Sequence, residues 1–329
     1  MHATIPSPLE TTRPPHPAHL RTLTYHGLAP GPRLLILGAV HGNETCGTQA
    51  ITQLIEELDS GQLAITRGTL TLVPVTNPLA YQRKQRSGER NLNRNMAPKA
   101  IPQDFEDRIA NALCPLLDTH DVTLDLHSFH TGGAPFAMLG PQNNSGTLEP
   151  FGHAAEEMAL ALHAGPHRIL EGWLETYARG AQRRTSGPAT NPNYGVGTVE
   201  YTRSRGGYGI TLECGQHDDP QAVHVARQAI LQTLALLGLA ALPLQPMPAG
   251  REILRLVDVT DFEHPGDQFS RDWDSFDAVK AGELIGVRHG GEPVCAPQDG
   301  FIVFPNPQAE VGQEWFYFAR QRLTEPKLS

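Results

Sequence analysis

Seven consecutive apolar residues, Leu34-Leu-Ile-Leu-Gly-Ala-Val40, constrain the fold more than any other stretch of this chain. A strand that alternates apolar and polar positions covers one face of a sheet, whereas one that is apolar throughout must be covered on both. The run therefore predicts a buried strand in a sheet with helices on each side. The rest of the N-terminal two thirds alternates accordingly. In residues 48–58, Ile51, Leu54, Ile55 and Leu58 recur at helical spacing, and Ser60-Gly61 supplies a stop. Residues 69–75 read as a second strand ended by Asn77-Pro78, and residues 83–94 as a polar loop. Residues 105–117 carry an amphipathic helix, 122–126 a third strand, 135–139 another, 151–164 a helix, 209–213 a strand, and Asp219-Pro220 opens a long helix. Strand and helix in alternation mean an α/β fold.

Three stretches are predicted from composition. Residues 1–24, rich in Pro and His, read as a flexible N-terminal segment, and they lack the basic and apolar blocks of a secretory signal. Residues 25–245 form the α/β domain, and the Pro-rich stretch 241–248 reads as a linker. Residues 250–329 show short strand patterns between Gly, Pro and Asp, predicting a small all-β domain. A long loop is expected over residues 179–197, and loops of that length within a domain are often functional.

The formal net charge of -9 and the absence of a Lys/Arg block disfavour nucleic acid and anionic membrane surfaces as partners. No apolar run reaches the roughly 20 residues that span a bilayer. Cys46, Cys114, Cys214 and Cys295 are scattered and form no Cys-x-x-Cys pair, which argues against a thiolate metal site and fits a reducing cytoplasm. A small-molecule ligand is expected, and a homo-oligomer is compatible with this composition.

His41-Gly-Asn-Glu44 comes directly after the buried strand. With 15 histidines in the chain, the spacing alone proves little, because His153-Ala-Ala-Glu156 and His289-Gly-Gly-Glu292 share it. Position decides among them. In open α/β sheets ligands bind beyond the carboxyl ends of strands, and His41, Glu44, His127 and Glu213 all stand at such ends. His153 and Glu156 lie within a predicted surface helix, and His289 and Glu292 in a Gly-rich hairpin with no third ligand. Two His and one Glu suit a catalytic Zn²⁺ with one position left for water. His127 is preferred over His130 because the strand fixes it, and Asp125, two residues earlier on the same face, either orients its imidazole or serves as a cap. Glu213 is the candidate general base, a buried structural glutamate paired with Arg being the alternative. Residues 83–94 hold Arg83, Lys84, Arg86, Arg90 and Arg94 in an otherwise acidic chain, which implies an anionic ligand or a solvated surface loop.

Together these motifs resemble the succinylglutamate desuccinylase/aspartoacylase family, from about Leu34 to near the C-terminus. The family's Gly-x-x-His-Gly-Asn-Glu motif is met by Gly38-Ala-Val-His41-Gly-Asn-Glu44, its Asn-Pro-x-Ala by Asn77-Pro-Leu-Ala80, its Asp-Leu-His by Asp125-Leu-His127, and its Glu-x-Gly-Gln by Glu213-Cys-Gly-Gln216. The resemblance implies a zinc carboxypeptidase-like mixed sheet flanked by helices, followed by a lipoyl-like β-barrel. It implies one Zn²⁺ per chain on His41, Glu44 and His127, Glu213 as base, Arg86 at the oxyanion, and Asn93, Arg94 and Arg203 on a substrate carboxylate. The reaction it implies is hydrolysis of the amide of an N-acyl amino acid. A metallocarboxypeptidase acting on peptides is the alternative, and a non-catalytic binding protein a more distant one.

The resemblance includes the turn Phe304-Pro-Asn306. Where the aspartate-specific branch has a tyrosine that contacts the substrate, this chain has Gln308-Ala-Glu310. If Glu310 faces the site, it would disfavour a second substrate carboxylate.

Overall fold

The computed structural model of the chain describes residues 16–185, 187–247 and 250–322. Most of the predicted N-terminal segment and the last residue of the predicted linker lie outside these. The strand order explains why residues 34–40 are apolar on both faces. Strand β1 (Leu23–His26) lies at one edge beside β3 (Arg67–Val73), and β2 (Ala29–Gly38), β4 (Val122–Phe129) and β7 (Tyr208–Gln216) follow inward. From β3 through β2 and β4 to β7 the strands are parallel, which puts their carboxyl ends on one rim.

Helix α1 (Cys46–Asp59) covers one face of the sheet. Short α2 (Pro78–Arg83) and then α3 (Phe105–Thr119) follow β3. Beyond β4 come β5 (Phe136–Met138), α4 (Ala154–His163), β6 (Arg168–Glu171), α5 (Trp173–Arg183) and α6 (Thr198–Ser204), and α7 (Gln221–Leu236) follows β7. Leu34 and Ile36 pack in one apolar cluster with residues of α1, α4 and α7. Leu35 and Leu37 pack in another with Phe105, Ile109 and Leu113 of α3. Successive side chains of a strand point to opposite faces, so a sheet covered on both sides needs apolar residues at every position.

The predicted all-β region is present. Strand β8 (Glu252–Asp261) is followed by β9 (Gln268–Phe269), β10 (Ala278–Val279), β11 (Leu284–Val287), β12 (Pro293–Cys295), β13 (Gly300–Val303) and β14 (Glu314–Gln321). β8 pairs in parallel with β6, so the large sheet continues through β8, β14, β13 and β10 to eleven strands. β12, β11 and β9 form a separate three-stranded sheet. Phe129, Phe136 and Leu170 share a cluster with Leu254, Leu256, Phe276 and Tyr317, so apolar packing also crosses this junction.

Four short elements differ from the sequence expectation. β1 begins inside the predicted flexible segment; α2 and β6 occupy stretches for which no helix or strand is predicted; and α5 runs into the predicted long loop, which otherwise holds two short 3-10 turns, Pro188–Thr190 and Pro192–Gly195. Among the described residues no helix is long and apolar enough to cross a membrane.

Candidate active site

Register brings the candidate residues together. Gly38 of β2 is paired with Leu126 of β4, and His127 with Glu213 of β7, so the turn after β2 and the ends of β4 and β7 meet on one rim. Ala39 leaves the strand with φ 47°, a strained conformation for a residue with a Cβ. The amides of Thr76 and Asn77, donating to the carbonyls of Gly38 and Ala39, hold it there. Gly42 lies against the α2 backbone: a Cβ on it would come within 1.9 Å of the Ala80 carbonyl carbon. Only glycine fits between the His41 and Glu44 side chains at that approach.

His41, Glu44 and His127 are each 1–2% exposed, and their ligating atoms all lie within 4.8 Å of one another. Both imidazoles turn Nδ1 inward, His41 Nδ1 lying 2.8 Å from Glu44 Oε1 and His127 Nδ1 2.8 Å from Oε2. The outer nitrogens are held from behind. His41 Nε2 donates to Asn91 Oδ1 (2.9 Å), an oxygen that also accepts the Asn93 amide. His127 Nε2 lies 2.9 Å from Asp125 Oδ2, and the Thr198 hydroxyl donates to that same carboxylate oxygen. The bond to Asn91 places the His41 proton on Nε2 and leaves its Nδ1 with a lone pair directed at the cluster centre, as metal-binding histidines require.

The charges favour a cation at the centre. Burial, aided by Arg86, lowers the His41 pKa to about 4, so its imidazole is neutral and its Nδ1 lone pair confronts a carboxylate. Burial alone would raise Glu44, but His41 and His127 hold it well below the usual range. His127 is raised well above its ordinary value by Asp125 and Glu44, against the effect of burial. A proton on His127 thus occupies a place where a divalent cation would satisfy both imidazoles and the carboxylate together. The donor set of two nitrogens and a carboxylate fits Zn²⁺.

Arg86 is half exposed, and its Nη1 donates to Glu44 Oε1 at 2.9 Å. Glu213 is 7% exposed, and its Oε2 is buried without a partner among the described residues. It forms no ion pair with Arg or Lys there, which sets it apart from a buried structural glutamate. Burial pushes its carboxyl up to about 8, and the nearby His127 acts in the opposite sense. Asn93 accepts the Thr198 amide through Oδ1 at 2.9 Å. The Arg94 guanidinium lies 4.9 Å from the Trp173 ring centre and 5.5 Å from that of Tyr177, with Nη2 3.9 Å from Glu314 Oε2.

Arg203, expected on a substrate carboxylate, is bonded instead to carboxylates of the chain. Its buried guanidinium donates Nε and Nη2 to Glu157 (2.9 and 3.1 Å), Nη1 to Glu149 (2.7 Å) and Glu200 (3.3 Å), and Nη2 to the Gly209 carbonyl. No donor is left for a ligand. Glu310 is likewise exposed and bonded to Gln313 within its own turn. The competing ligand His130 donates through Nε2 to the Pro305 carbonyl. His153 and Glu156 form an exposed pair at 3.6 Å, and His289 stacks on His264.

Sequence reasoning missed the support around the site. Asn91, in the predicted polar loop, accepts from His41, and Thr198, just past the predicted long loop, donates to the Asp125 carboxylate beside His127; His217 bridges to Ser128 Oγ (2.9 Å) and Asn43 Nδ2 (3.4 Å). The one available signal for His217 was its place just after the Glu213 strand.

Residues 30–237 match the model of the succinylglutamate desuccinylase/aspartoacylase catalytic domain. Succinylglutamate desuccinylase of Vibrio cholerae is 27% identical over 296 residues, which cover 85% of this chain and 78% of that protein. Among solved structures, a succinylglutamate desuccinylase/aspartoacylase of Rhodobacter sphaeroides superposes with a TM-score of 0.69 at 18% identity, covering 92% of this chain and 90% of that one. The ectoine utilization protein EutE (DoeB) of Ruegeria pomeroyi, solved with product bound, gives 0.65 at 20% identity, covering 88% and 86%. At such identities the structures speak for the shared fold, and the match over residues 30–237 speaks for descent: the chain belongs to the succinylglutamate desuccinylase/aspartoacylase family.

Proposed function

We propose that the protein is a zinc-dependent hydrolase that cleaves the amide bond of an N-acyl amino acid, releasing a carboxylic acid and a free amine. Membership of a deacylase family supports amide hydrolysis. The observation that carries the zinc reading is the buried His41, Glu44 and His127 cluster, with both Nδ1 atoms turned inward and Glu213 opposite in register. Zinc would be held by His41 Nδ1, His127 Nδ1 and the Glu44 carboxylate, and would supply polarisation of the amide carbonyl and acidification of water.

Glu213 acts as the base. Its partnerless oxygen takes a proton from the attacking water as oxygen bonds to the carbonyl carbon, and returns it to the nitrogen as the C–N bond breaks. Burial raises the pKa of this carboxyl, so its ionised form, which a bound cation would favour, takes up a proton more readily than an exposed glutamate. Arg86, half exposed and bonded to Glu44 through one nitrogen, has further donors to offer the oxygen that becomes negative. Asn93 and Arg94 anchor the substrate carboxylate, with Trp173 and Tyr177 fixing the plane of the guanidinium. Arg203 has no part in this scheme. The four free cysteines suit work in the cytoplasm.

The test is a metal assay joined to a substrate panel. The purified protein should contain about one zinc per chain, lose activity on N-acetyl and N-succinyl amino acids with a chelator, and regain it with Zn²⁺. Glu213→Gln should retain the metal and lose turnover by about 100-fold or more, the usual scale of general-base catalysis. His41→Ala should lose both. Wild-type rates in a Glu213→Gln protein, or full activity without metal, would remove these roles.

A further inference from the structure

The guanidinium groups that could meet substrate carboxylates are largely answered already by carboxylates of the chain itself. Arg203 is spent on Glu157, Glu149 and Glu200. Of the five cations in residues 83–94, Arg90 is held by Asp104 and Asp107, Arg86 rests on Glu44, and Arg83 and Lys84 are exposed at the end of α2. Arg94 remains. Beside it, Arg184 is bound through Nε and Nη2 to Asp261 at 2.8 and 2.6 Å, and Glu314 stands between the two arginines, 3.4 Å from Arg184 and 3.9 Å from Arg94. Two guanidiniums thus face two carboxylates. The ring of Trp173 covers Arg94, and its Nη1 is bonded to the Asn93 carbonyl.

We infer that the amino-acid portion of the substrate carries a single carboxylate and a neutral or cationic side chain, and that Glu314 of β14 is the residue that selects for this. The inference rests on the N-acyl amino-acid reading of the site. One carboxylate can take the remaining edge of Arg94. A second carboxylate beside Arg94 would find the neighbouring Arg184 already bound to Asp261 and would lie near Glu314, where like charges repel and desolvation adds to the cost. A cationic side chain would instead be attracted to Glu314. Discrimination arises from an unfavourable contact with the wrong substrate as much as from a favourable one with the right one. Glu314, rather than the outward Glu310, is the acidic residue placed to do this.

The experiment compares N-acetyl and N-succinyl derivatives of glutamate and aspartate with those of glutamine, leucine, lysine and ornithine, on the zinc-loaded wild type and on Glu314→Gln. Binding of N-acetylglutamate and N-acetylglutamine to the Glu213→Ala protein, read by calorimetry, gives a second readout independent of turnover. The expected result is a kcat/KM higher by about tenfold or more for single-carboxylate substrates, tighter binding of N-acetylglutamine, and a gap that narrows in Glu314→Gln. Glu314→Asp, which keeps the charge, should retain the preference and serves if the amide variant does not fold. Preference of the wild type for glutamate or aspartate derivatives overturns the inference while leaving the proposed reaction intact. So does a single-carboxylate preference unaltered in Glu314→Gln. If no N-acyl amino acid is bound or hydrolysed, the proposed function itself fails, and this inference with it.

Discussion

Replacing Arg203 by methionine separates a structural role from a substrate-binding one. The side chain is 5% exposed, and its guanidinium makes four hydrogen bonds to three carboxylates and one to the Gly209 carbonyl. Removing it leaves Glu157, 1% exposed, with only the amides of Gly140 and Gly209 as donors. Breaking one side of a buried ion pair costs about 3–5 kcal/mol, because the abandoned charge is not resolvated. Here the lower end applies: Glu157 keeps two backbone donors, and Glu149, raised to about 7 chiefly by burial, sheds its charge readily once Arg203 is gone. A loss of about 3 kcal/mol at about 2 °C per kcal/mol lowers the melting temperature by roughly 6 °C. Thermal unfolding followed by circular dichroism reads this directly. Replacing Glu157 by methionine as well should restore part of the loss, since an apolar pair often substitutes for a buried ionic one. A melting temperature unchanged within about 1 °C, together with a fall of about 100-fold in kcat/KM, would refute the structural assignment and return Arg203 to the substrate.

Asn91→Ala removes the acceptor that fixes the His41 tautomer, and zinc affinity should fall by about 10–100-fold in competition with a chromophoric chelator; unchanged affinity would count against the outer contact. Thr198→Val should act in the same direction through Asp125 and His127. Asp267 gives a prediction for acid. Burial would raise its pKa, but the amides of Glu263, His289 and His264 and the Arg288 guanidinium outweigh it and hold the carboxyl at about 2. A depressed folded-state pKa contributes stability above the unfolded value of 3.8 and loses it as pH falls toward 2. Asp267→Asn should therefore cost about 2 kcal/mol in urea unfolding at pH 7 and far less near pH 2; a difference from wild type that did not shrink with acid would contradict this.

The parts of the fold that could be read from sequence were those with a long, regular signal. β2 was legible because both its faces are apolar, and α1, α3 and α7 because apolar residues recur at helical spacing. β1 and β6 have only four residues each, too few for a period to show, and β1 alternates between half-buried and exposed positions at a sheet edge. α2 has six residues, and Asn77-Pro78, read as the end of a strand, is its cap and first position. At the site, His41, Glu44, His127 and Glu213 stood out because each lies at the end of an apolar strand. Arg203 was assigned through the family resemblance, and a motif carries no information about Glu149 and Glu157, about fifty residues away, that neutralise it. Glu314 went unnoticed for a related reason. It begins a strand whose register brings it to Arg94, and that register depends on β8 and on no local motif.

The parallel pairing of β6 with β8 has a consequence for where the chain can be cut. A protein ending at residue 245 would leave β6 as the rim of the sheet, with its outer amides and carbonyls unpaired beside Ile169 and Leu170, both fully buried when β8 is in place. An apolar rim of that kind is a template for strands of other molecules. Shortened protein should therefore be lost to aggregation before its chemistry could be measured, so an inactive truncation would say little about whether residues beyond 250 touch the substrate. The selective way to question them is one side chain at a time, with the rim left closed.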